Sequence, residues 1–443
     1  MRGILEIAQE LIEAHTLCDN CLGRQFADLA TGTSNAERGR SLKNTLAMKA
    51  HIMITEGRRE GRDLLKRLFS NGFSDVARAT LEKLAIEPAV ETRECETCGG
   101  RLQQLEDLAS TALSKAEDYE FGSFLVGAKI PSEVIEAEDS LRAKHGIKWG
   151  ESIRSEFTRE IGKIISAKTL KEVNYRNPDV TFTANPYEGR TTLQVNPLFI
   201  AGRYRKLTAG IPQSRWLCRR CRGKGCPACG GTGKKYPESV QEIIAQPLLE
   251  KTKGDDGVLH ASGREDIDAK VLGGGRPFVI EVKSPHIRSL NLEEVGEAIA
   301  KSGKVEVEDL RVVEGSYVKR VKMGESAEKT YQAIVEVDGR VRGRDLEKIA
   351  ETLTGCYVQQ ATPRRVLHRR ADKVRERYIY ETEVEKMTPK RFELKVRCQG
   401  GLYVKELING DEGRTTPNIT ELLGKKAQCV ELNVLNVKVE GWS

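Results

Sequence analysis

Residues 260–285 read HASGREDIDAKVLGGGRPFVIEVKSP, and this stretch decides how the second half of the chain is organised. A glycine precedes Arg264, aspartates follow at Asp266 and Asp268, and three glycines at 273–275 lead into an apolar, strand-like run. An arginine two residues from an aspartate favours the ionised carboxylate, so this loop is the best candidate for a carboxylate-centred site. The alternative is that an aspartate caps a turn and pairs with Arg264 on the surface.

The sequence after this loop predicts an α+β domain. Alternation of apolar and polar residues indicates strands at 331–337 and 392–398, and helical spacing indicates helices at 240–251, 292–301 and 344–353. Strands in hairpin-like succession with a few helices between them favour a mixed, largely antiparallel sheet.

The first half has its own pattern, and the chain length of 443 residues predicts two or three domains. Helical periodicity covers 3–15, 61–84 and 142–166, and short strand-like runs separated by turn signals follow at 177–207. A stretch rich in cysteine and glycine comes next. We place the boundary just after it, which gives an accessory domain at 1–236 and a second domain at 237–443.

Composition and charge narrow the function. No run approaches the roughly 18 apolar residues that cross a bilayer, and the N-terminal helix carries acidic residues, unlike a signal peptide, so we expect a cytoplasmic protein without a membrane partner. The net charge is only +7, but basic residues are concentrated at 202–224 and 364–378. Two arginine-rich patches, each with an aromatic residue, favour nucleic acid as the partner.

Eight of the 11 cysteines form four CxxC pairs, which predict metal sites more readily than disulfides in a reducing compartment. Two such pairs complete a closed four-thiolate site, so we expect one or two structural zinc ions and no catalytic metal. The first predicted site is Cys18, Cys21, Cys95 and Cys98, and the second is Cys218, Cys221, Cys226 and Cys229. The basic second set is also compatible with an RNA-facing knuckle, and exchange of pairs between the sites stays open.

Other catalytic motifs are absent from the sequence. The six histidines form no HxxxH or HxE pattern, and the chain has no P-loop, no GxGxxG after a strand and no nucleophile elbow. The carboxylate loop is therefore the remaining candidate for a catalytic site, and we expect no nucleotide cofactor. The CxxCxGxG-like stretch at 218–225 resembles part of a DnaJ-type chaperone module, but the chain lacks the four copies and the His-Pro-Asp motif of those proteins.

Several stretches together resemble the archaeal and eukaryotic tRNA pseudouridine synthase family usually numbered ten. They are GREDIDAKVLGGGRPFVIEV, LCDNCLGRQFA, KTYQAIVEV, QATPRRVLHRRAD and GLYVKELINGDEGRTTPNITELLG, and the resemblance extends over nearly the whole chain. It implies a zinc-bearing accessory domain with a THUMP-like RNA-binding module, followed by a pseudouridine synthase domain. The implied reaction is isomerisation of uridine at position 54, position 55 or both in the T arm of tRNA.

The resemblance also assigns site residues. Asp266 matches the nucleophilic aspartate, Tyr331 the tyrosine that stacks on the target base, and Leu407 an apolar residue beside that base. Lys405 falls where several related families place an arginine that pairs with the aspartate, and Asp268 would support the loop. The arginines expected to bind RNA are Arg264, Arg276, Arg364, Arg365, Arg369 and Arg370.

The glycines at 263 and 273–275 would let the backbone approach RNA closely. We expect tRNA as the partner and a monomeric protein that needs no catalytic cofactor. The alternative function is a zinc-stabilised tRNA-binding protein, or a partner of a modification enzyme, with no activity of its own.

Overall fold

The computed structural model describes residues 3–87, 94–439 and 441–442. The chain forms two compact units, Met1–Val195 and Asn196–Ser443. This division comes before the expected boundary at 236/237, because the strand Leu198–Lys206 pairs with strands of the second unit on both of its edges. The second cysteine cluster therefore belongs to the same unit as the Asp266 loop.

The first unit combines helices with a small sheet. Its helices are α1 (Ile4–Ala14), α2 (Asp19–Arg24), α3 (Asn35–Thr55), α4 (Arg59–Ser70), α5 (Asp75–Lys83), α6 (Leu105–Lys115), α7 (Ser132–His145) and α8 (Ile153–Thr169), with a 3₁₀ turn at Arg101–Gln103. Its strands are β1 (Ser123–Ala128), β2 (Glu172–Val173), β3 (Val180–Asn185) and β4 (Arg190–Val195), in the order β2-β1-β3-β4. β1 is parallel to β2 and β3, and β3 is antiparallel to β4.

The helix predicted at 3–15 is present as α1, and its apolar stripe faces the core. It misses two breaks. The helical pattern at 61–84 is interrupted between α4 and α5, where Phe73 takes a left-handed conformation with φ 52°. The pattern at 142–166 is interrupted because Gly146, at φ 66°, ends α7.

The second unit holds the remaining elements. Its strands are β5 (Leu198–Lys206), β6 (Asp256–Ala261), β7 (Lys270–Lys283), β8 (Val305–Val313), β9 (Lys329–Val337), β10 (Tyr357–Ala361), β11 (Val374–Lys386), β12 (Arg391–Cys398), β13 (Thr415–Thr416) and β14 (Ala427–Val437). Its helices are α9 (Val240–Thr252), α10 (Leu292–Ala300), α11 (Ser316–Met323), α12 (Gly343–Leu353), α13 (Val404–Asn409) and α14 (Ile419–Leu423), with 3₁₀ turns at Pro227–Cys229, Gly324–Ser326, Arg364–Arg369 and Gly410–Gly413.

All ten strands of this unit form one sheet in the order β13-β10-β11-β12-β9-β14-β7-β5-β8, with β6 paired to β7 beside β14. Among the described strands of this sheet, only β7 and β14 pair in parallel. The predicted α+β class with a mixed, largely antiparallel sheet is confirmed. The long β7 is an interior strand with neighbours on both edges, so the loop that precedes it leads into the interior of the sheet.

The glycines at 273–275 lie inside β7, where Gly273 and Gly275 have a local structural role. A side chain on Gly273 would come within 2.6 Å of the Leu435 carbonyl oxygen, and one on Gly275 within 2.9 Å of the Tyr204 carbonyl oxygen. Both glycines have positive φ, at 54° and 67°. They therefore let the neighbouring strands pack closely against an irregular strand.

Across the described residues, no helix combines the length and the apolar character that crossing a bilayer requires.

Candidate active site

The loop between β6 and β7 carries Asp266 and forms part of the wall of a cavity of about 790 Å³. The opposite walls come from the turn at 364–369, from β11 and from the segment 400–405. The side chain of Asp266 is 31% exposed, so it is accessible from the cavity. A cleft of this volume is within the range that binds a small organic group such as a nucleotide.

Asp266 lies beside two cations. The Arg365 Nη1 atom is 3.1 Å from Asp266 Oδ1 and 3.0 Å from Oδ2, and the Lys405 Nζ atom is 3.7 Å from Oδ2. Arg365 also donates from Nε to the Glu406 carboxylate at 2.7 Å, and Glu406 is 3% exposed. The arginine is thus fixed between a buried carboxylate and the catalytic candidate.

These contacts raise the pKa of Arg365. Burial disfavours its charge, but the hydrogen bond and charge of Glu406, followed by those of Asp266, raise the pKa above the ordinary value. The guanidinium therefore stays charged. A charged donor therefore lies about 3 Å from both oxygens of Asp266, the candidate nucleophile.

Lys405 binds Asp268 more closely than Asp266. Its Nζ lies 2.8 Å and 2.7 Å from the two Asp268 oxygens. Partial burial of Asp268 opposes ionisation, but the hydrogen bonds and charge of Lys405 lower the pKa of this carboxyl. The cation that pairs directly with Asp266 is therefore Arg365, which the sequence predicts to bind RNA. Lys405 contacts both aspartates.

A buried polar network holds the loop from behind. Glu265 is 7% exposed; the Tyr204 hydroxyl donates to it at 2.9 Å, the Gln213 amide donates at 3.2 Å, and the Arg276 Nε atom lies 3.0 Å away. Burial opposes the charge of Arg276, but Glu265 raises its pKa. Arg276, which the sequence predicts to bind RNA, lines the cavity but is only 1% exposed, and its guanidinium contacts Glu265 and the Ser262 carbonyl oxygen.

Lys206 secures the backbone of the same loop. This fully buried lysine donates to the carbonyl oxygens of Ile211 at 2.9 Å, Ile267 at 3.0 Å and Asp266 at 3.4 Å. Its burial lowers the pKa of the ammonium, and nearby carboxylates oppose that effect. Lys206 is part of the first basic patch, so its charge serves the fold and not an external polyanion.

The apolar wall differs from the expected one. Tyr331, on β9, lines the cavity as predicted, and burial raises the pKa of its phenol, which keeps the ring neutral. Leu407 is fully buried in the core of the unit and does not line the cavity. Leu402 and Val404 occupy that wall instead. Leu407 lies three residues after Val404 in helix α13, among the buried residues of the core of the unit.

The other arginines that the sequence predicts to bind RNA lie in different surroundings. Arg264 and Arg370 line the cavity, and Arg370 donates to the Tyr403 hydroxyl at 2.9 Å. Arg364 lies outside the lining and forms an exposed ion pair with Glu412. The side chain of Arg369 is outside the described residues. Arg375 and Arg377, which belong to the predicted basic patch at 364–378, also line the cavity from β11.

Both predicted cysteine clusters assemble with the expected pairing. In each, four sulfur atoms lie within 4.8 Å of one another. Four thiolates on one zinc ion, at about 2.3 Å each, would lie about 3.8 Å apart. In the first cluster the sulfur atoms of Cys18 and Cys98 lie 3.7 Å apart. In the second cluster the distances are 3.9 Å (Cys218–Cys226), 3.8 Å (Cys221–Cys229) and 3.7 Å (Cys226–Cys229). Both geometries fit a tetrahedral metal ion.

The first cluster has a buried cation beside it. Both Arg24 terminal nitrogens lie 3.5 Å from the Cys21 sulfur, and the same guanidinium pairs with Glu138 at 2.7 Å and Glu156 at 2.6 Å. All three charged side chains are almost completely buried. A positive group at this position offsets the negative charge that four thiolates and a divalent metal leave.

Comparison with known proteins gives a consistent result. The model described as "Pus10, C-terminal" matches residues 199–438, and the model "Pus10 THUMP domain, archaeal" matches residues 108–185. The chain is 42% identical to the tRNA pseudouridine synthase Pus10 of Methanothrix thermoacetophila, over 98% of this chain and 94% of that protein. It is 42% identical to the enzyme of the same name from Methanocaldococcus jannaschii, over 98% and 95%.

Among solved structures, a chain of a Cbf5-Nop10-Gar1 complex is similar at a TM-score of 0.29, with 17% identity over 44% of each chain, which is too weak a likeness to carry an argument. The family matches need no such support. They cover the THUMP region of the first unit and almost all of the second unit, including β5. The resemblance seen in the sequence is confirmed: the chain belongs to the Pus10 family of tRNA pseudouridine synthases.

Proposed function

We propose that this protein isomerises uridine to pseudouridine in the T arm of tRNA, at position 54, position 55 or both, with Asp266 as the nucleophile. One observation carries the proposal. Asp266 is an accessible carboxylate of the cavity wall, and the cations of Arg365 and Lys405, which line the same cavity, lie beside it. Family membership supplies the class of reaction.

The reaction breaks the bond between the ribose and N1 of uracil, turns the base and forms a bond from the ribose to C5. N1 gains a proton and C5 loses one, so the product is an isomer of the substrate. Asp266 would form a transient covalent bond that splits this exchange into two steps. Arg365 and Lys405 orient the carboxylate, and the buried Glu265 network holds its loop in place.

The cavity walls suit a flipped nucleotide. Extruding a base from its stack costs a few kcal/mol, and stacking on an aromatic ring such as Tyr331 returns about 1–3 kcal/mol. Arg264, Arg370, Arg375 and Arg377 line the same cavity and would bind the flanking phosphates. The THUMP region of the first unit would bind another part of the tRNA.

Release of tritium from tRNA labelled at C5 of uridine tests the activity, because the C5 hydrogen leaves only when the new bond forms. We expect the purified protein to release tritium from an unmodified transcript without any added cofactor. Binding without release would favour the alternative, a tRNA-binding protein with no activity of its own. The predicted monomeric state and cytoplasmic location also await measurement, by light scattering and by cell fractionation.

Replacing Arg365 with methionine should lower kcat about 100-fold or more, because Asp266 loses its directly paired cation and Glu406 loses its donor. Single-turnover rates at saturating enzyme would show the loss separately from any change in binding. Arg364→Met is the matched control, since Arg364 pairs with Glu412 outside the cavity. Equal kcat values for the two variants would contradict the role of Arg365.

Zinc is the metal that we propose for both cysteine clusters, as a structural ion. We expect elemental analysis to find about two zinc ions per chain. Cys95→Ser should remove one ion and Cys229→Ser the other, because each closed site then lacks a thiolate. About one ion in the unaltered protein would mean that only one cluster is a metal site.

A further inference from the structure

Trp216 lies on the wall of the catalytic cavity, although it belongs to the segment that leads into the second cysteine cluster. Its indole is 4.9 Å from the guanidinium of Arg264, which is in the Asp266 loop, and 5.0 Å from the Lys235 ammonium. An aromatic ring flanked by cations beside a cavity is the combination that binds a nucleotide of single-stranded RNA, through its base and its phosphate.

The cysteine cluster fixes the position of this tryptophan. The two strands of chain that enter and leave the cluster pair with each other: the amide of Lys235 donates to the Trp216 carbonyl oxygen at 2.8 Å, and the amide of Cys218 donates to the Gly233 carbonyl oxygen at 2.7 Å. The rings of Trp216 and Tyr236 meet edge to face at 5.5 Å. The four cysteines lie between Cys218 and Cys229 in this hairpin-like segment, and their sulfur atoms are within 4.8 Å of one another.

Inside the cluster the chain is held by short turns, with backbone hydrogen bonds such as that from the Arg222 amide to the Cys218 carbonyl oxygen at 2.8 Å. Between Cys218 and Gly233 the regular structure is a single 3₁₀ turn at Pro227–Cys229. A metal ion on the four thiolates would therefore supply the main constraint on this part of the chain, and loss of the metal would loosen the paired strands at whose base Trp216 lies.

We propose that Trp216 contacts a nucleotide adjacent to the target uridine, and that the second cysteine cluster is the element that positions it. This inference rests on the proposed function, since it assigns a further substrate-binding residue to the same cavity. The cluster then contributes to the catalytic unit itself, in addition to any contact of its exposed arginines with RNA.

Trp216→Ala should raise the KM for tRNA roughly tenfold, the size of effect expected for the loss of one base–aromatic stack, while kcat falls less. Trp216→Phe should restore most of the affinity, because the phenyl ring still stacks. Tyr357→Ala is the control, since it removes an exposed aromatic residue outside the cavity. An unchanged KM in Trp216→Ala, or a rise of the same size in Tyr357→Ala, would overturn the proposal.

A spectroscopic measurement tests the contact without turnover. The chain has three tryptophans, and in an Asp266→Asn background tRNA should change the fluorescence of the protein by an amount that Trp216→Phe removes. Because this measurement uses an inactive protein, it can succeed even if no pseudouridine is ever formed. The proposed function and the Trp216 contact can therefore fail separately.

The metal link is tested with Cys229→Ser in the full chain. The variant should lose one metal ion, show a tRNA-induced fluorescence change smaller than that of the parent, and raise KM as Trp216→Ala does. Cys95→Ser, in the other unit, should lose one ion and keep the full fluorescence change. If Cys229→Ser loses its metal but keeps the parental fluorescence change and KM, the cluster does not position Trp216.

Discussion

Replacing Asp266 with asparagine should abolish pseudouridine formation, with a loss of at least about 10⁴-fold in rate, because an amide cannot form the transient covalent bond. The change is nearly isosteric. Arg365 keeps its contact with Glu406, so the loop should keep its position. Tritium release from tRNA labelled at C5 of uridine measures the rate, and tRNA binding should change by less than about threefold.

Asp268→Asn is the matched control for this prediction. It lies two residues away in the same loop and contacts the same lysine, but its carboxylate is held by Lys405 at 2.7 Å and has the role of support. We expect a loss of no more than about tenfold. If Asp268→Asn is inactive and Asp266→Asn is active, the two roles are reversed.

Replacing Arg276 with methionine should lower the free energy of unfolding by about 3–5 kcal/mol, the usual cost of leaving a buried charge without its partner. Arg276 is 1% exposed and Glu265 is 7% exposed, so water cannot compensate for the loss. Urea unfolding followed by circular dichroism measures the change. Activity should also fall below that of the wild type, because Glu265 is adjacent to Asp266.

The double variant Glu265→Gln/Arg276→Met should recover part of this stability, since it removes both charges and leaves an amide that can accept from the Tyr204 hydroxyl. A single variant as stable as the wild type would show that the ion pair contributes nothing. A double variant no more stable than the single one would assign the loss to the packing of Arg276.

Much of the fold could be predicted from local pattern. The stripe of α1, the strands at 331–337 and 392–398 and the four CxxC pairs report local constraints, and each is present in the structure. The domain boundary could not be found in this way. β5 joins the second unit through pairing with β7 and β8, which are distant in sequence, and no local signal records such partners.

The candidate site could likewise be predicted only in part. The loop around Asp266 could be found from its residues and from family resemblance, but the partner of Asp266 could not. Arg365 is one of several arginines in its segment, and only the fold shows that Glu406 aims it at the aspartate. Leu407 and Arg276 were placed by motif, whereas the structure buries Leu407 in the core of the unit and pairs Arg276, at the cavity wall, with Glu265.

The most direct test of the central claim is pseudouridine mapping on an unmodified tRNA transcript incubated with the purified protein. We expect pseudouridine at position 54, position 55 or both with the wild-type protein, and at neither position with Asp266→Asn. Pseudouridine formed by the Asp266→Asn protein, or its absence from the T arm after treatment with the wild-type protein, would contradict the account.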